Sequence, residues 1–90
     1  MGATNFFTTT LSGSSLAIDS ADNVMKISIE ANSGIVTVTG NTNFKGTSST
    51  AITLTVGGGI TLIANSNSQP ISGITINAAS GSADLILSLI

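Results

Sequence analysis

The side chains able to do chemistry are few, and their spacing limits what they can do. The sequence holds no His, Cys, Arg, Tyr or Trp. That removes the usual general base, thiolate, phosphate clamp and phenolic acid. The carboxylates are Asp19, Asp22, Glu30 and Asp84. Asp19 and Asp22 lie close in DSADN, where they suit a turn, because Asp and Asn side chains hydrogen-bond nearby backbone. A calcium ion is the alternative there, since it accepts carboxylate and carbonyl oxygens, but DSADN lacks the spaced acidic pattern of an EF-hand. Gly57-Gly58-Gly59 is followed by no Lys-Ser/Thr pair and no helical pattern, so it is not a phosphate loop. None of the serines stands in a nucleophile elbow, and no base is present to activate one. These residues point to a protein that is not an enzyme, with no catalytic, cofactor-binding or metal-ligating group.

Charge is scarce as well. Only 7% of residues are charged, against about a quarter in ordinary globular domains. The polar character comes instead from Ser, Thr and Asn, which make up more than a third of the chain. A formal net charge of -2 gives little repulsion between copies, which favours life in an assembly. Lys26 and Lys45 are the only cations and form no basic stripe, so no nucleic-acid partner is expected. The opening MGATNFFTTTLSG lacks the basic flank and long apolar run of a signal peptide. Phe6 also stands where a myristoylation motif wants Ser or Thr. No apolar run approaches the roughly 20 residues of a membrane-spanning helix. Synthesis in the cytoplasm, without a signal peptide and without a membrane partner, is the expectation.

The elements that position these residues are read from a period of two. Ile52–Ala64, ITLTVGGGITLIA, reads as a hairpin across Gly57–Gly59, pairing Val56 with Ile60, Leu54 with Leu62 and Ile52 with Ala64 on one face. Val24–Glu30 places Met25, Ile27 and Ile29 on one side, with Lys26, Ser28 and Glu30 on the other. Asn32-Ser33-Gly34 turns the chain into Gly34–Thr39, with Val36 and Val38 inward, as a second hairpin. Ser15–Asp19 carries Leu16 and Ile18 on one face, and Ser72–Asn77 carries Ile74 and Ile76. No stretch shows apolar residues at helical spacing.

Two ends and one loop stand out as contact candidates. Asn5–Leu11 is an opening strand or arm, in which adjacent Phe6 and Phe7 must face opposite ways. One ring can enter the core, leaving the other for a neighbouring chain. Residues 40–50, GNTNFKGTSST, form the longest polar interval, with Phe44 and Lys45 at its centre. Phe44 is either a recognition tip or a plug for one end of the core. Asp84–Ile90, DLILSLI, breaks the alternation, with Leu85, Leu87 and Leu89 on one face and Ile86 and Ile90 on the other. A strand apolar on both sides is buried on both sides, so part of it is expected to meet another subunit. The candidate interface is therefore Phe6, Phe7, Phe44, Lys45, Leu85, Leu87, Leu89 and Ile90.

Seven or eight short strands joined by Gly/Ser/Asn turns give one all-β domain over residues 1–90. The expected architecture is an antiparallel β-sandwich or small barrel, jelly-roll-like, with almost no helix. The strands TLTV, GIVTVTG and GITI, together with the signal-less start, resemble small virion proteins of tailed bacteriophages, such as head decoration (cement) proteins and β-rich fibre tips. The resemblance spans the chain as composition and transfers no functional residue. It implies a non-enzymatic virion protein, a homo-oligomer and often a trimer, that binds the major capsid or another virion protein and stabilises the shell. The alternative is a secreted or surface β-sandwich module that recognises a ligand through the 40–50 loop. Scarce aromatics count against its gripping sugars. Thr-x-Thr at Thr37–Thr39 and Thr53–Thr55 is too sparse for the regular ranks of an ice-binding face.

Overall fold

A computed structural model describes residues 5–40, 50–66 and 68–89. Among the described residues eight strands follow one another: β1 Asn5–Ser12, β2 Ser15–Ile18, β3 Val24–Ser33, β4 Val36–Thr39, β5 Ile52–Leu54, β6 Gly59–Ile63, β7 Ile74–Asn77 and β8 Ser82–Leu89. A 3₁₀ turn at Ser20–Asp22 is the helical element among the described residues.

The strands form two four-stranded sheets, in the orders β1-β8-β3-β6 and β2-β7-β4-β5. The pairings β1 with β8, β2 with β7, β3 with β6 and β4 with β5 are all antiparallel. Nested pairs of this kind are one long ribbon folded in half and rolled up. The β3–β8 and β4–β7 pairings close the roll into two layers. This is a jelly roll, in which strand order manages the edges that a flat sheet would expose. The expected fold class holds.

The two hairpins expected from the sequence do not form. β5 pairs with β4 in one sheet, and β6 pairs with β3 in the other. The Thr55–Gly58 connection is thus an arch from layer to layer, and β3 and β4 are likewise in different sheets. The physical reason is that alternation fixes which side chains face inward but not which strand lies alongside. Leu54 and Leu62 both point at the core, as a hairpin would require, yet they do so from opposing layers. Backbone hydrogen bonds seat the arch, with Gly57 N–H donating to Ala31 O at 3.0 Å and Ala31 N–H to Gly58 O at 2.9 Å. Gly57 meets the arch's need for a positive φ, 86°.

A second difference lies at the start of β3. Its register with β8 shifts between Val24 and Lys26, so the bulge at Met25 turns Val24 inward and leaves Met25 half-buried. Beyond the bulge the alternation resumes as expected, with Ile27 and Ile29 buried. The core is aliphatic: Ile27, Ile29, Val36, Ile76 and Leu85 are among its fully buried side chains, and no described polar side chain is buried. Folding therefore rests on apolar burial between the layers, at about 25 cal/mol per Å2.

Candidate assembly surface

The outward face of the β1-β8-β3-β6 sheet is built by register. Cross-strand pairing aligns its side chains in three rows that run β1, β8, β3, β6. These are Phe6–Ser88–Lys26–Ile63, Thr8–Ile86–Ser28–Thr61 and Thr10–Asp84–Glu30–Gly59. Among the described residues three large apolar side chains stand open on it: Phe6 is 64% exposed, Ile63 71% and Ile86 50%. The outward face of the other sheet is different in kind. Its rows are Ser15–Asn77–Thr37–Thr53 and Ala17–Thr75–Thr39, small and mostly polar. One side of the sandwich is thus suited to water and the other carries apolar area that water does not favour.

The same apolar face is electrically polarised. Lys26 sits in the first row, while Glu30 and Asp84 lie directly opposite each other in the third. Like charges placed opposite across strands disfavour the pairing. The cost is offset at Asp84, whose carboxyl is held below its ordinary range by a hydrogen bond from the Asn32 side chain and another from the Thr10 hydroxyl. Thr10 Oγ1 donates to Asp84 Oδ1 at 2.9 Å. Asn32 lies at the second irregularity of β3, between Ala31 and Ser33. At the β6 end, beside Gly59, a depression of about 350 Å3 opens on this face, lined by Ser28, Glu30, Thr61, Asp84 and Ile86 among others.

β1 borders this face as an edge strand, with β8 on one side and no described strand on the other. NFFTTTLS contains neither charge nor Pro, the features by which edges are usually blunted against pairing with another chain. On its core-facing side Phe7 lies opposite Leu87 yet stays 56% exposed. It overhangs an apolar cleft of about 190 Å3 between the layers, lined also by Leu16, Val24 and Leu89.

The expected interface residues separate into three groups. Phe6 and Phe7 are exposed on opposite sides of β1, as adjacent strand residues must be. Leu85 and Leu87 are in the core of the single chain, and Leu89 packs against it. The open side of β8 belongs to Ile86, so the second-face burial expected of this strand is not completed within one chain. Phe44, Lys45 and Ile90 lie outside the described residues. Sequence reasoning missed Lys26, Glu30 and Ile63 as members of this surface. Their outward facing was readable from the alternation, but their alignment with Ile86 depends on the β3–β6 and β3–β8 pairings.

DSADN is a capped turn. Asp19 is the N-cap of the 3₁₀ turn and accepts from Ala21 N–H at 2.9 Å, while Asp22 Oδ2 accepts from Asp19 N–H at 2.9 Å. Asn23 closes it in the left-handed region at φ 57°. Both carboxylates are engaged in satisfying backbone donors, the use expected of turn residues.

No family model and no curated protein matches the chain. One solved structure is similar, described as "Bacillus endospore appendages form a novel family of disulfide-linked pili", at 15% identity and a TM-score of 0.41, covering 99% of this chain and 93% of that chain.

Proposed function

We propose that this protein is a non-enzymatic structural subunit that works in a homo-oligomeric assembly. The single observation that carries the reading is the outward β1-β8-β3-β6 face, where Phe6, Ile63 and Ile86 stand exposed beside an uncharged edge strand. Covering two or three such side chains contributes several kcal/mol at about 25 cal/mol per Å2. That matters to a 90-residue domain, whose own core is only modestly stabilising. The residue inventory, with no His, Cys or Arg, supports a role based on shape rather than catalysis. Self-association here does not use disulfides, because the sequence has no cysteine.

The finer reading is a capsid decoration protein of a tailed bacteriophage, seated on the major capsid protein. It is supported by the compositional resemblance and by the jelly roll, an architecture that also serves in viral capsids. Sedimentation velocity of the wild type beside Ile86→Lys tests the broader reading. The wild type is expected above monomer mass and the folded variant nearer to monomer; a wild type that stays monomeric overturns it. Cosedimentation with capsid shells encoded alongside this chain tests the finer one, and protein left in the supernatant overturns that.

A further inference from the structure

We propose that two copies of this chain pack sheet on sheet through the β1-β8-β3-β6 face, about a two-fold axis that lies in the interface. The axis runs across the strands along the Thr8–Ile86–Ser28–Thr61 row. The inference rests on the self-association reading above and deepens it by naming the contact.

The geometry follows from the rows. A two-fold axis along the middle row leaves each strand over its own copy and brings the first row over the third. Lys26 then lies over Glu30 of the second copy, twice by symmetry, close to the second copy's Asp84 as well. Ile86 meets Ile86 at the centre. At the β6 corner, Ile63 comes over the depression beside Gly59. Lys26 is the only described cation, and the opposed pair Glu30 and Asp84 are acids at the other end of the same face. Each end therefore supplies what the other lacks. Laying the face on itself with the axis along the strands, between β8 and β3, instead keeps rows together and sets Glu30 over Asp84, acid on acid. Charge selects the first arrangement and rejects the second. Stacked sheets cross at about 30° because of their twist, which displaces the corners most and the central Ile86 and Lys26–Glu30 contacts least.

A two-fold contact gathers copies in pairs, so the particle holds an even number of chains rather than the trimer that the virion resemblance implies. The test is charge exchange, read by sedimentation velocity across a concentration series, with circular dichroism confirming the fold. Lys26→Glu and Glu30→Lys are each expected to weaken association by about tenfold or more, and the combined variant to recover most of that loss. Raising salt from about 0.05 to 0.5 M is expected to weaken the wild type and to matter less for the neutral pair Lys26→Gln/Glu30→Gln. That pair also keeps the test open if a reversal disturbs folding. If the wild type associates while the single reversals change nothing, or the combined variant is no better than either alone, this contact is overturned and the assembly reading stands. A wild type that is monomeric throughout overturns both.

Discussion

At the scale of single residues, β8 separates two roles that look alike in DLILSLI. Leu87 is buried between the layers, whereas Ile86, its neighbour, is half-exposed on the outward face. Leu87→Asp would bury an unpaired charge, at a cost above about 4 kcal/mol, which is most of the stability of a small domain. It is expected to abolish the cooperative unfolding transition. Ile86→Lys is expected to change the stability of the dissociated single chain by no more than about 1 kcal/mol and to act on association instead, as urea unfolding at low protein concentration paired with sedimentation will read. Asp84 gives a pH signature. Hydrogen bonds from Asn32 and Thr10 lower its folded-state pKa from the ordinary 3.8, so near that value the unfolded chain binds more protons than the folded one. The stabilisation is fully present above 3.8 and is lost as pH falls through the lowered folded value. Asp84→Asn is expected to remove that part of the acid sensitivity, measured as the difference in unfolding midpoint between neutral pH and the acid limb.

At the scale of elements, the strands were legible and their partners were not. Val36, Val38, Ile74, Ile76, Leu85 and Leu87 face inward as period two requires, because a one-residue slip would expose the whole set. Leu54 and Leu62 face inward too, yet no local pattern states whether an inward neighbour lies alongside or across the core. That is settled by pairing over long sequence separations, such as Ile27 with Leu62 and Phe7 with Leu87. Met25 was misplaced for a related reason, since a bulge is a property of two strands rather than one. The arch has a direct test. Ser28 and Thr61 are register partners with their hydroxyl oxygens 3.3 Å apart, so Ser28→Cys/Thr61→Cys is expected to oxidise readily to a disulfide. Thr55→Cys/Thr61→Cys, which a hairpin would bring together, is expected to stay reduced. Where the β3–β4 and β7–β8 connections cross, a Cβ on Gly81 would collide with the Ser33 carbonyl and lie 3.0 Å from Gly34 Cα. Gly81→Ala is therefore expected to destabilise the fold by about 1–3 kcal/mol, read from urea unfolding.

At the scale of the whole molecule, the jelly roll produces two unlike outer faces from one alternating sequence. The β2-β7-β4-β5 face is lined mostly with Ser, Thr and Asn, while the opposite face carries exposed Phe6, Ile63 and Ile86, with Lys26 at one end and Glu30 and Asp84 at the other. The scarcity of charge that was legible in the sequence gains a location here, since Lys26, Glu30 and Asp84 all lie on that second face. Alternation alone identified each of these as outward, but only the strand order 1-8-3-6 collects them on one surface. The central claim is that this surface joins copies of the chain. Light scattering gives absolute mass across a dilution series and tests it most directly. A mass above the 8.9 kDa monomer that falls with dilution or with Ile86→Lys is the expected result. A folded monomer at every concentration would contradict it.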